Sequence, residues 1–82
     1  MYKLIFEKRA LADLNKLQRQ IKQRIWKKLQ DSKENPFNFF ERLVGNNCFK
    51  LRVGDWRVIV EIDSSEEVIS ILRLGHRKNI YD

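Results

Sequence analysis

Phe49-Lys50-Leu51-Arg52-Val53-Gly54-Asp55-Trp56-Arg57-Val58-Ile59 is the stretch that decides the architecture. Two alternating runs flank Gly54-Asp55, a dipeptide suited to a two-residue hairpin turn of the primed types. The flanking strands are read as Cys48–Val53 and residues 56–62. Side chains alternate between faces along a strand. Phe49, Leu51 and Val53 therefore share one face, and Trp56, Val58, Val60 and Ile62 continue it across the turn. The turn pairs Val53 with Trp56 and Arg52 with Arg57, and paired residues point to the same side. Lys50, Arg52 and Arg57 are thereby expected together on the outer face. Facing like charges repel, so this pairing costs stability. A solvated face can splay the charges apart. Alternatively a phosphate relieves them, and the planar fork of arginine can hold two phosphate oxygens at once.

Upstream of the hairpin, residues 2–6 read as a short strand. Residues 7–34 contain no Gly or Pro, and apolar residues fall at Leu14, Leu17, Ile21, Ile25 and Leu29, a helical spacing. One continuous helix of this length would span about 42 Å. A domain of this size has a radius of gyration of roughly 12 Å, so the rod would protrude. A two-helix hairpin broken near residues 17–20 is the expected form, with Trp26 in the core. Asn35-Pro36 ends the second helix, because a residue before proline avoids the helical region. Residues 36–47 form an irregular connection whose Phe37, Phe39 and Phe40 cover the edge of the core. Residues 68–74 are a third apolar run after the polar loop 63–67. Gly75 ends it, and a basic tail follows. The order is β-α-α-β-β-β, an α+β domain over residues 1–82 with an antiparallel sheet and two helices on one face.

Lys and Arg number 17 against 11 acidic residues, a formal charge of +6 and a pI near 9.8 in 82 residues. Polyanions are the natural partners: nucleic acid, or an acidic protein. One cysteine, Cys48, excludes an internal disulfide. One histidine, His76, disfavours structural zinc, which wants about four ligands rich in Cys and His. No cofactor or metal is therefore expected. No apolar run is long enough to cross a membrane, and residues 1–6 are too short in their apolar part for a signal peptide, so a cytoplasmic location is the default.

The tail adds Arg73, His76, Arg77 and Lys78, and Tyr81 closes the run. RNA can be cut without metal when the 2′-hydroxyl attacks the adjacent phosphorus and expels the 5′-oxygen. The reaction needs a base, positive charge for the transition state and an acid for the leaving oxygen. The chain offers no obvious carboxylate pair or histidine pair. It offers Lys50, Arg52, Arg57, Arg77, His76 and Tyr81. A tyrosine has an ordinary pKa near 10, which surrounding cations lower. His76 alone has an unperturbed pKa near neutrality.

The hairpin segment, followed by Leu74-Gly75-His76-Arg77 and Tyr81, resembles the RelE/ParE superfamily of toxins, specifically its RelE branch. The first strand, the helix opening at Glu7-Lys8-Arg9-Ala10 and the approach Leu43-Val44-Gly45 match as well. The resemblance implies a ribosome-dependent messenger RNA endonuclease. It implies that Lys50, Arg52, Arg57 and Arg77 bind and stabilise the scissile phosphate, with Tyr81 near the attacking hydroxyl. Arg73 and Lys78 are further candidates for RNA contact. It also implies inhibition by a RelB-like antitoxin and operator repression only through that antitoxin. Arg52 and His76 stand where the best-studied type has lysines, and the spacing from Arg77 to Tyr81 is shorter. The acid/base assignment stays open. Two other functions fit the charge. ParE-like relatives poison DNA gyrase, and a non-catalytic module would bind nucleic acid with a steep salt dependence.

Overall fold

The Gly54-Asp55 turn closes as its sequence demands. Gly54 takes a φ of +62°, while Asp55 does not enter the left-handed region, the pattern of a type II′ turn. Val53 pairs with Trp56 and Arg52 with Arg57. The computed structural model describes residues 1–44 and 47–80. Gly45 and Tyr81, both named from the sequence, lie outside the described residues.

The elements are β1 (Lys3–Phe6), α1 (Lys8–Asn15), α2 (Arg19–Ser32), a 3₁₀ turn (Pro36–Asn38), β2 (Glu41–Arg42), β3 (Cys48–Val53), β4 (Trp56–Asp63), β5 (Val68–His76) and α3 (Arg77–Ile80). The five strands form one sheet in the order β1-β5-β4-β3-β2. The α+β architecture is the one expected, with two short elements added, the two-residue β2 beyond β3 and α3 after β5. The expected antiparallel sheet is corrected at one pair: β1 runs parallel to β5, while the other pairs are antiparallel. The helical hairpin carries the chain across the sheet. The β3-β4-β5 meander then brings it back beside β1, in the same direction.

The helical stretch breaks where expected. The amides of Lys16 and Leu17 bond to the carbonyls of Asp13 and Leu14, at 3.2 and 3.1 Å, tightening the last turn of α1 before α2 begins. The longest principal extent is 33 Å, too short for a single rod of that length. Ile25 and Leu29 are fully buried, and Leu14, Leu17 and Ile21 pack against the core. Phe40 is buried, while Phe37 is half-exposed and meets Phe49 edge-on at 5.7 Å.

Trp26 corrects the sequence expectation. It is 48% exposed, because one helical step carries it about 100° away from Ile25. Its ring stacks on Phe6 with centroids 6.0 Å apart. Trp26→Ala should therefore cost only about 1–2 kcal/mol in urea unfolding, below the roughly 3–5 kcal/mol of a fully buried tryptophan.

β5 holds a feature invisible in the strand pattern. Ile59 pairs with Arg73 but Val60 with Ile71, so Leu72 is an extra residue, a bulge. Ile69 and Ile71 face the core, and after the bulge so does Leu74, three residues on. The strand also continues past Gly75 to His76, because Gly75 and His76 still pair with Arg57 and Trp56.

The β4–β5 turn is held by Asp63. Its carboxylate accepts bonds from the Glu66 amide, the Ser65 hydroxyl and the Ser65 amide, at 3.1, 2.8 and 3.1 Å. These bonds, the Glu66 amide foremost, hold its pKa below the ordinary 3.8. A depressed folded-state pKa contributes stability that is present above the unfolded value and lost as pH falls through the folded one. The stability advantage of the native chain over Asp63→Asn should thus be small, steady at neutral pH, begin to fall at about pH 4, and be gone only once pH drops below the lowered folded-state value. Melting curves of the two proteins across pH 2–7 check this.

Candidate functional site

The register of β3 against β4 puts Lys50, Arg52 and Arg57 on the face away from the helices, as expected. Their surroundings differ. The Arg57 side chain turns back over the hairpin. Its Nη1 donates to the carbonyl oxygens of Gly54 and Trp56, at 2.9 and 3.0 Å, and the residue is 6% exposed. Carbonyl dipoles there offset the cost of burying a charge. This is how the facing arginines coexist: one guanidinium anchors on the turn, the other stays in solvent. Arg52, although on that face by register, also lines a groove with Arg24, Lys27, Lys28 and Asp31 of α2. Arg24 lies over the turn itself, where a Cβ added to Gly54 would sit 3.2 Å from its guanidinium. Lys50 is half-buried and pairs across β3 with Glu41 of β2.

The same turn receives the tail. The backbone N–H of Arg77 donates to the Asp55 carbonyl at 2.8 Å, and its Nε lies 4.0 Å from the Asp55 carboxylate. Arg57 also pairs across the ladder with Gly75, two residues before Arg77. Arg57 and Arg77 thus hang on one two-residue turn, 20 positions apart in sequence. An arginine anchored by carbonyls beside a half-exposed one, with Arg52 and Lys50 on the adjoining strand, forms a surface suited to a phosphodiester.

His76 is placed differently. The bulge at Leu72 turns it to the helix side with Trp56, and the two rings meet edge-on at 5.4 Å. Its Nδ1 accepts the Lys78 N–H at 3.2 Å. It lines a cleft of about 320 Å³ with Asp13, Lys16, Leu17 and Trp56, on the far face of the sheet from Lys50, Arg52 and Arg57. Lys78 is exposed on α3. Arg73 pairs with Ile59, and its guanidinium reaches Asp13 of α1, with Nε 3.4 Å from Oδ2. Among the described residues, no group of three or more His, Cys, Asp or Glu is placed to hold a metal ion.

Sequence reasoning missed Asp13, Arg24 and Asp55. A signal for Asp13 was present. It stands three residues after the buried Ala10, on the stripe of α1 that continues to Leu14 and Leu17, and an acid on an apolar stripe needs a partner.

A model of the family described as the ParE toxin of the type II toxin-antitoxin system, parDE, matches residues 4–81. This chain belongs to that toxin family. The toxin is similar to the toxin of the RelBE2 toxin-antitoxin complex from Mycobacterium tuberculosis, at 28% identity and a TM-score of 0.85, covering 93% of this chain and 98% of that one. It is similar at 25% identity and a TM-score of 0.82 to a chain of the intact Escherichia coli RelBE complex, over 93% of this chain and 96% of that one. A chain of the RelB-RelE complex from Methanococcus jannaschii matches at 26% identity and a TM-score of 0.77, over 95% of each. No curated protein matches the sequence. The RelE/ParE resemblance and the α+β fold stand on these matches. All three solved relatives are toxin-antitoxin complexes.

Proposed function

We propose that this toxin is an endoribonuclease of the RelE type that cuts messenger RNA in the decoding site of the ribosome, in the cytoplasm, and that a RelB-like antitoxin holds it inactive. The observation that carries this reading is the gathering of Arg57 and Arg77 on the Gly54-Asp55 turn, with Arg52 and Lys50 on the adjoining strand. A surface that only blocked a protein target would have no need to place that many cations round one turn. In the reaction the 2′-oxygen bonds to phosphorus and loses its proton to a base, while the bond to the 5′-oxygen breaks and that oxygen takes a proton. The products are a 2′,3′-cyclic phosphate and a 5′-hydroxyl. Arg57 and Arg77 stabilise the charge that develops on the phosphoryl oxygens. Lys50 and Arg52 bind the flanking backbone. Tyr81, in the tail after Arg77, is the candidate for the base.

His76 lies on the opposite face, so the Lys50 ammonium is the candidate to give its proton to the departing 5′-oxygen. A site without an efficient base gains most from a partner that orients the RNA, and positioning alone contributes several kcal/mol. That is the physical reason for ribosome dependence. The solved relatives support the antitoxin partner, and operator DNA would be reached only through it. The family match to ParE toxins favours one rival, inhibition of DNA gyrase. Purified toxin with programmed ribosomes and end-labelled message decides between them. The proposal requires cleavage with cyclic phosphate ends that stops on adding antitoxin. Intact message together with loss of gyrase supercoiling would replace it with the rival.

A further inference from the structure

The ladder between β1 and β5 ends at Phe6 and Ile71. Beyond it, among the described residues, β5 pairs with β4 alone, and no strand lies along its other edge from Arg73 to His76. That unsupported piece is the one that presents Gly75 to Arg57 and delivers Arg77 to the Gly54-Asp55 turn. It also begins just after the Leu72 bulge, where the ladder to β4 is locally disrupted.

A single side chain stands in for the missing strand. α1 lies against β5, with the small Ala10 fully buried. One turn on, the Asp13 carboxylate meets the open edge: Oδ2 accepts the backbone N–H of Leu74 at 3.1 Å. Leu74 is 2% exposed, so without this acceptor its amide would be a buried donor lacking a partner. The Asp13 side chain is only 11% exposed, whereas its two ionic neighbours are looser. Arg73 is 3.4 Å away and 38% exposed, and Arg9 is 4.0 Å away and 65% exposed. The bond to the Leu74 amide is the shortest of the three contacts and joins the two most buried groups.

We propose that Asp13 is a positioning residue for RNA cleavage: by accepting the Leu74 amide it holds the end of β5 against β4 and so sets the place of Arg77. The inference rests on the endonuclease reading for its activity arm, and on the fold alone for its structural arm. Asp13 touches no substrate. Its loss should leave ribosome binding and alter the chemical step, because Arg77 is needed where charge develops in the transition state and not where RNA merely docks.

The test uses the full chain with Asp13→Ala, Asp13→Asn and Arg73→Ala. Asparagine keeps a side-chain oxygen to accept the amide, and Arg73→Ala removes only the ion pair. Amide hydrogen exchange should show Leu74 protected in the native chain, Asp13→Asn and Arg73→Ala, and unprotected in Asp13→Ala. Single-turnover cleavage on programmed ribosomes should fall by at least about tenfold in kcat for Asp13→Ala, with KM within about threefold, since small displacements of a catalytic group cost up to about a hundredfold. Asp13→Asn should cleave within about threefold of the native chain, while Arg73→Ala is read by exchange alone, since Arg73 is itself a candidate for RNA contact. If Asp13→Ala fails to fold, the pair Asp13→Asn and Arg73→Ala still decides. Loss of Leu74 protection in either, or of kcat in Asp13→Asn, would overturn the inference in favour of the ion pair. Full protection and full kcat in a folded Asp13→Ala would overturn it outright. Should the native chain cleave no message, the endonuclease reading fails, and the exchange pattern at Leu74 alone judges whether Asp13 holds the strand.

Discussion

Arg77→Ala lowers message cleavage on the ribosome by about 10²–10³-fold while the melting temperature stays unchanged. That loss is the size measured for removing one preorganised donor from a transition state. The side chain is 55% exposed, and its ionic contact with Asp55 is long and solvent-screened. Surface truncations of this kind stay within about 0.5 kcal/mol of the native stability. The backbone of residue 77 is also tied to the turn by the bond from its N–H to the Asp55 carbonyl, which alanine keeps. Arg57→Ala gives a similar loss of rate, but with a second signature. Its guanidinium bridges the carbonyls of Gly54 and Trp56, so truncation also frees the turn and costs about 1–3 kcal/mol. Arg57→Lys keeps the charge but not the fork, and should recover stability better than rate. Single-turnover kinetics beside thermal melts separate the two arginines. An Arg77→Ala toxin that cleaves at the native rate would remove Arg77 from the site.

Ile71→Ala is the variant expected to unfold the toxin. Ile71 is fully buried in β5, within residues 68–71, which β1 and β4 flank on both sides. Truncating a buried isoleucine costs about 2–5 kcal/mol, through lost transfer energy and the cavity left behind. A domain of this length has on the order of 5–10 kcal/mol in total. The urea midpoint should drop by about a fifth at least, and by about half in the middle of these ranges, with the slope unchanged. A loss under about 1 kcal/mol would mean that the sheet collapses round the gap without strain.

Much of the architecture was legible because its causes are local. Gly54 supplies a positive φ that the turn requires, and once the turn is set the alternation of residues 48–62 leaves one register. The break between the helices follows from length, and Pro36 ends α2 by sterics. The gathering of Lys50, Arg52 and Arg57 came from the same parity argument.

The remainder depended on contacts distant in sequence. Parity along β5 could not reveal the Leu72 bulge, since Ile71, Leu72 and Leu74 are all apolar and either face would accept them. Yet that one extra residue sends His76 to the helix side and out of the arginine cluster. The burial of Arg57 is likewise a tertiary outcome, because no pattern marks which of two facing arginines finds carbonyls and which stays in water. Asp13 meets Leu74 across 61 positions, only because β1 stops short of the end of β5. The amino-acid sequence by itself determined the elements, the turn and the shared face of the basic residues, since each rests on backbone sterics or strand parity within a few residues. Only the tertiary structure decided which cations meet and what holds them there, since those depend on where strands end and which buried polar groups must find partners.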